Sequence, residues 1–245
     1  MNKFHKGEFC GYMVSAPYRG DFEKIRTELL KDGAYQFETR KDRPLIIDCG
    51  SHVGLSIIYF KTKFPKAKII GFEPDPDNLY HLNKNLKHSD FEGVKIVPKA
   101  LASVEKTVSL WRETKGISTW GNSIAISKDP EEGEELPVET TLLSSYLEDE
   151  VDFVKMDIEG AEEMVLQEAG DRLTLVRQIE LEFHGTNKSN DINDMDRIVT
   201  LLENKEFEVK VEFKDVRKTT LRYNTTVDKL NLHLAQVRAV NKKFK

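Results

Sequence analysis

Cysteine is scarce in this chain: two in 245 residues, Cys10 and Cys49. A disulfide-stapled scaffold is therefore excluded, and a reduced, cytoplasmic setting is expected. Long apolar runs are missing as well. No stretch approaches the roughly 20 residues that cross a bilayer, and residues 1–8 lack the apolar segment of a secretory signal. Without secretion, the acceptor-like triplets Asn187-Lys188-Ser189 and Asn224-Thr225-Thr226 carry no weight. Positive charge is also in deficit. With 37 Lys+Arg against 42 Asp+Glu, the net charge of −5 argues against a protein that grips long nucleic acid by bulk charge. The exception is residues 214–245, where nine Lys/Arg face two Asp/Glu, a run expected to form a solvated surface. There is no internal repeat, no low-complexity segment and no compact metal-ligand motif, so no metal is expected, although Asp157 with Glu182 or His184 could converge on one.

What is present is an alternation of strand-like and helix-like patterns. Residues 1–43 form an N-terminal extension expected to pack on a core domain of residues 44–245. Within the extension, residues 8–14 alternate as a strand does. Asp21 can cap a helix running to about Asp32, with Ile25, Leu29 and Leu30 on one face. From Leu45 the order becomes β-α-β: strand 45–48, helix 55–64, strand 68–72. A helix follows from Asp77, with Leu79, Leu82 and Leu86 at helical spacing, and then strand 94–98. Residues 103–142 interrupt the alternation. Strand 107–112 pairs with 138–142, and between them come a loop at 115–126 and a solvated acidic run at 129–135. This insertion belongs over the carboxyl ends of the strands. Strand 151–156, helix 161–169, strand 178–183 and a helix near 191–203 resume the pattern, and 207–213 and 230–240 read as two final antiparallel strands. The fold class is α/β with a mostly parallel sheet.

Two apolar runs end in acids with a glycine turn between them. Asp48-Cys49-Gly50-Ser51-His52-Val53-Gly54 follows the first strand, and Glu73-Pro74 ends the second, 23 residues beyond Gly50. Glycines permit close backbone approach, and a carboxylate at the next strand end accepts hydrogen bonds from ribose hydroxyls. The spacing D-x-G-x-x-x-G lacks the third glycine that seats a pyrophosphate. A nucleoside cofactor without phosphates is predicted, of which S-adenosylmethionine is the common one. Asp48, Gly50, Ser51, Gly54, Glu73 and Pro74 are its candidate ligands. Prolines after Glu73 stop the strand and Asp77 can cap the next helix, leaving Glu73 free for the ribose. At Ala100-Leu101 a small residue either leaves room for an adenine ring or simply makes a short turn.

The segment Lys155-Met156-Asp157-Ile158-Glu159-Gly160-Ala161-Glu162 is the second signal. A buried strand ends in a dense charged cluster where the sheet reverses direction. Asp157 is a candidate catalytic and cofactor-contacting residue; Lys155 and Glu159 are candidates for substrate contact. Glu159 and Glu162 could instead favour the positive end of the following helix. In the next strand Glu180, Glu182 and His184 share one face. Carboxylates inside a sheet are costly unless paired, so they should reach an edge, the site or a basic partner. Glu182 is a substrate-binding candidate, and His184, at the strand tip, is the best general base by pKa type. Trp120, Asn122 and Ser123 within the insertion either contact substrate from a lid or anchor the loop by packing.

At these residues the chain resembles the FkbM-type family of S-adenosylmethionine-dependent methyltransferases, over roughly residues 44–212. The resemblance rests on Ile47-Asp48-Cys49-Gly50 with Gly54, Gly71-Phe72-Glu73-Pro74, Ala100-Leu101-Ala102-Ser103, Gly121-Asn122-Ser123, Thr140-Thr141-Leu142 and the Lys155–Glu162 segment. Leu143-Ser144-Ser145 stands where an acidic residue often follows the Thr-Thr-Leu pattern. The resemblance implies a class I Rossmann-like sheet of seven strands, mostly parallel with the last antiparallel, and helices on both faces. It also implies methyl transfer, commonly to a hydroxyl oxygen; the acceptor does not carry over from the resemblance, and a small-molecule, glycan-linked or lipid-linked hydroxyl is expected. Two other classes fit part of the pattern: an NAD-type oxidoreductase, disfavoured by the missing glycine, and a binding module that keeps the fold without catalysis.

Overall fold

A computed structural model describes residues 4–89, 91–113, 122–125, 133–186, 193–213 and 232–245. The chain opens with a hairpin of β1 (His5–Phe9) and β2 (Tyr12–Ala16), turned by Cys10 and Gly11 at positive φ. Helix α1 (Arg19–Leu30) follows. Then come β3 (Leu45–Cys49), α2 (Leu55–Lys63), β4 (Lys68–Phe72), α3 (Pro76–Ser89) and β5 (Val94–Val97). The short β6 (Ala100–Leu101) leads to β7 (Thr107–Glu113) and β8 (Gly133–Thr141). The chain finishes with β9 (Phe153–Met156), α4 (Glu162–Ala169), β10 (Gln178–Thr186), α5 (Met195–Asn204), β11 (Phe207–Phe213) and β12 (Leu232–Asn241).

Seven strands make one sheet in the order β11-β12-β10-β9-β3-β4-β5. Strands β10, β9, β3, β4 and β5 pair in parallel, and β12 runs antiparallel to both β10 and β11. The class I sheet order and its reversed last strand are thus present. Both faces are covered, which is why the central strands read as nearly continuous apolar runs. Ile46 packs with Phe153, Ile57, Phe60 and Leu29 on one side; Ile47 and Cys49 pack with Met156, Val165 and Leu181 on the other. From β3 the chain builds outward through β4 to β5, then returns to β9 on the opposite flank. A crevice opens at such a switch point, outside the carboxyl ends of β3 and β9.

Strands β7 and β8 pair antiparallel as expected, from Thr107↔Glu139 to Glu113↔Gly133. They join β6 in a separate three-stranded sheet rather than extending the main one. The end of the acidic run, Gly133-Glu134-Glu135, belongs to β8 instead of the loop, because Arg112 on β7 ion-pairs with Glu134. Several boundaries also move. Helix α1 starts at Arg19 with Tyr18 in the cap position, and Asp21 does not cap it. Asp21 is fully buried, with Oδ2 3.9 Å from His52 Nε2. Helix α3 is capped by Asp75, not Asp77: Asp75 Oδ1 accepts from the N–H of Asp77 (2.8 Å) and of Asn78 (3.1 Å). Asp194 caps α5 later than expected, its side chain accepting from Arg197 N at 2.9 Å. β10 runs to Thr186 because β12 pairs with its whole length. His184 therefore lies within a strand and not at its tip.

Candidate active site

The crevice at the switch point is walled by β3, β4, β6, β9 and β10 and by the N-terminal segment. Part of its lining is the glycine turn. Gly50 has φ +85, and a Cβ there would lie 1.9 Å from the carbonyl oxygen of Asp157, so no other residue fits without moving backbone. The N–H groups of Gly50 and Ser51 both donate to Phe72 O, at 3.1 and 2.8 Å, which ties the turn to the end of β4. His52 then donates its backbone N–H to Glu73 Oε2 at 2.8 Å, while Glu73 Oε1 accepts from Asp75 N at 2.9 Å. Glu73 is only 6% exposed. Burial raises its pKa to about 7, with the hydrogen bond from Asp75 N opposing the rise. The His52 ring stays neutral, since burial and the nearby Lys155 lower its pKa to about 3.

Another part is the charged cluster. Pairing between β9 and β10 stops at Leu181↔Met156, so Glu182 and His184 project past the end of β9, beside Asp157 and Glu159. His184 Nε2 is 3.6 Å from Glu159 Oε1, 3.9 Å from Glu182 Oε1 and 4.0 Å from Asp157 Oδ1. Its Nδ1 donates to the buried Glu162 Oε1 at 3.4 Å. Burial alone would lower the His184 pKa, but Glu159, Glu162 and Glu182 outweigh it and push the value up to about 10. At neutral pH His184 is an imidazolium, which donates protons and does not accept them. Glu159 holds the left-handed backbone (φ 55), and Ser123 Oγ donates to its carbonyl at 2.6 Å.

The candidate residues divide between wall and foundation. Gly50, Ser51, Glu73, Pro74, Ala100 and Leu101 line the crevice, as do Asn122, Lys155, Asp157, Glu159, Glu182 and His184, and the glycine turn meets the second group directly where Lys155 reaches the Gly50 carbonyl. Asp48 lies beneath the floor, fully buried, with Oδ2 accepting from Ser56 Oγ at 2.6 Å and Oδ1 3.3 Å from Lys155 Nζ. Gly54 starts α2 with φ +87 against Leu82. Ser123 supports Glu159 from behind, and Asn122 Nδ2 donates to Asp75 Oδ2 at 3.0 Å. Trp120 lies outside the described residues.

Lys155 is 4% exposed and its ammonium reaches the carbonyl of Gly50, Asp48, and the ring of Tyr35 at 5.5 Å. Although burial opposes its charge, Asp48 and Asp157 hold its pKa above the ordinary lysine value. It braces the glycine turn against β9 more than it reaches into the crevice. Glu180, on the same face of β10 as Glu182, finds its basic partner in Arg238 at 3.2 Å and also accepts from Tyr35 N.

Missed from the sequence is the wall supplied by Lys24, Ile25, Glu28, Leu29 and Tyr35. Tyr35 has φ 59 and its hydroxyl is 3.5 Å from Asp157 Oδ2. The amphipathic spacing of Ile25 and Leu29 marked an inward face but not what it would face.

The profile of the methyltransferase FkbM domain family matches residues 48–209. The chain belongs to the FkbM methyltransferase family. That membership decides for methyl transfer over the oxidoreductase reading. The FkbM match takes in every crevice residue named above except those of the N-terminal wall and spans both clusters of the site. The chain is 26% identical over 231 residues to Methyltransferase 1 of Beauveria bassiana, covering 86% of this chain and 91% of that one. It is 29% identical over 219 residues to Methyltransferase sdnD of Sordaria araneosa, covering 76% and 82% respectively. Among solved structures, the FkbM methyltransferase of Methylobacillus flagellatus superposes with a TM-score of 0.52 at 16% identity. That alignment spans 86% of this chain and 47% of that chain, a likeness of fold alone.

Proposed function

We propose that this FkbM methyltransferase binds S-adenosylmethionine between the glycine turn and Glu73 and methylates a hydroxyl oxygen of its acceptor. The observation that carries the reading is a single crevice lined both by the glycine turn with Glu73 and by the charged cluster at Asp157. Gly50 is fixed by packing, since any Cβ would strike the Asp157 carbonyl, and it brings the backbone of the turn to the crevice lining. Glu73 supports the cofactor fit: Oε2 accepts from His52 N and keeps a lone pair for a ribose hydroxyl, while Oε1 already accepts from Asp75 N and Asn78 Nδ2. Ala100 and Leu101 line the crevice where a flat base would lie. Bound there, S-adenosylmethionine supplies a methyl group on a positively charged sulfur, which leaves as a neutral thioether as the acceptor oxygen takes the methyl.

The chain's own work is then alignment and proton removal. Holding the acceptor oxygen in line within a closed crevice can supply several kcal/mol of the barrier reduction. Asp157 takes the hydroxyl proton, with its carboxylate steadied by the Tyr35 hydroxyl and by Lys155 at 3.9 Å. His184, as imidazolium, does not serve as that base; it holds Asp157, Glu159 and Glu182 together. Residues 24–35 form the wall against which an acceptor packs, either a small molecule or a glycan- or lipid-linked hydroxyl.

Incubation with methyl-labelled S-adenosylmethionine and a panel of sugars, hydroxylated lipids and small alcohols tests this. The label is expected in a methyl ether, and Asp157→Asn should retain S-adenosylhomocysteine binding while turnover falls about 100-fold or more. Label in an N-methyl product, or full turnover by Asp157→Asn, contradicts the reading.

A further inference from the structure

We propose that Asp157, Glu159 and His184 form a divalent-cation site, for an ion of the Mg²⁺ or Mn²⁺ class, on the wall of the crevice. One ligating atom from each lies within 4.8 Å of the others, and all three residues line the crevice. They arrive from two elements, the segment after β9 and the far half of β10, so the sheet itself sets their spacing.

The imidazole is the decisive feature. His184 is 8% exposed, and Nδ1 is spoken for by Glu162, which is fully buried and fixed by Gly160 N at 3.1 Å and Asn193 Nδ2 at 2.6 Å. This outer carboxylate sets the ring so that Nε2 points at the carboxylates of the crevice, the arrangement typical of a ligating histidine. Yet Nε2 has no hydrogen bond among the described residues. Its nearest carboxylate oxygens stand at 3.6, 3.9 and 4.0 Å, beyond hydrogen-bond reach. Donors about 2.1 Å from one ion stand about 3.0 Å apart at right angles and about 4.2 Å apart across it, and the distances from His184 Nε2 to Glu159 and Asp157, 3.6 and 4.0 Å, fall between.

Four carboxylates, of Asp157, Glu159, Glu162 and Glu182, lie within 4.0 Å of the imidazole nitrogens, and the Lys155 ammonium lies 3.9 Å from Asp157. On binding, a divalent ion replaces the Nε2 proton. The two carboxylates suit Mn²⁺ and Mg²⁺, the set holds no thiolate, and the imidazole favours the transition ion Mn²⁺ over Mg²⁺. The ion's role rests on the methyl-transfer reading: its crevice-facing positions take the acceptor's hydroxyl oxygen. The site itself rests on geometry alone.

Titration of the full chain with Mn²⁺, followed by electron paramagnetic resonance, tests the site, with S-adenosylhomocysteine binding measured on the same samples. One Mn²⁺ per chain is expected, displaced by Mg²⁺ and weakened at least tenfold by Glu159→Gln and by Asp157→Asn. Glu159 is 24% exposed at its side chain, so its variant should fold, and unchanged S-adenosylhomocysteine affinity verifies that. Mn²⁺ left free at millimolar concentration, or bound equally well by both variants, overturns the site. Mn²⁺ bound without S-adenosylhomocysteine would keep the cation site and remove the cofactor reading instead.

Discussion

Glu73 is buried to 6% exposure with backbone N–H groups on both oxygens, and its pKa stands near 7. A carboxylate accepting from ribose hydroxyls acts in its ionised form. Affinity for S-adenosylhomocysteine should therefore hold above pH 8 and weaken as pH falls through 7, approaching about tenfold per unit. Calorimetric titration across pH 6–8.5 checks this, and Glu73→Gln should flatten the slope as well as weaken binding. The acid itself was legible, because a strand ending in Glu-Pro after a glycine turn is a local pattern. The fate of Asp48 was not. Its carboxylate turns below the floor to Ser56 and Lys155, a choice made by a lysine on a neighbouring strand that only tertiary pairing brings near. The protonation of His184 was hidden for the same reason: three of its four carboxylate neighbours are defined by where β9 stops and α4 begins.

At the level of elements, α3 shows how one cap organises the site's rim. Asp75 caps the helix, accepts from Asn122 Nδ2 and lies 3.9 Å from Arg112. Asp75→Ala should cost about 1 kcal/mol through the lost cap, with the loss of the Asn122 and Arg112 contacts adding to it. A denaturant melt would register the drop; an unchanged midpoint would show that Asp77 or solvent takes over the cap. The expected cap, Asp77, lies inside the helix: Pro76 takes the first helical position, which leaves Asp75 as the cap. Strand and helix types followed hydrophobic period well, since a sheet covered on both faces demands it. Their ends were displaced wherever another strand extended the ladder, as β12 extends β10.

On the scale of the whole molecule, the sheet places every charged candidate at one edge of the β3/β9 reversal. Helix α1 and Tyr35 add a wall that no local motif announced. The basic C-terminal run is partly paired with acids of the sheet, since Arg238 reaches the buried Glu180 and Lys245 pairs with Glu208 on the surface; residues 214–231 lie outside the described residues. Among the described residues no helix is long and apolar enough to cross a membrane. Global stability should carry the signature of His184. Its folded pKa of about 10 exceeds the ordinary 6.5, so its contribution is complete below about pH 6.5 and lost as pH rises through 10. Melting temperatures recorded from pH 6 to 10 should fall more steeply for the natural protein than for His184→Gln. Parallel profiles would mean that the imidazolium contributes nothing to the fold.

The most direct test of the account is calorimetric titration of the folded protein with S-adenosylhomocysteine, beside Glu73→Ala. The account predicts one site per chain with micromolar affinity, weakened at least tenfold by the substitution. A folded protein that binds nothing, or a variant that binds equally well, would contradict the cofactor site at Gly50 and Glu73.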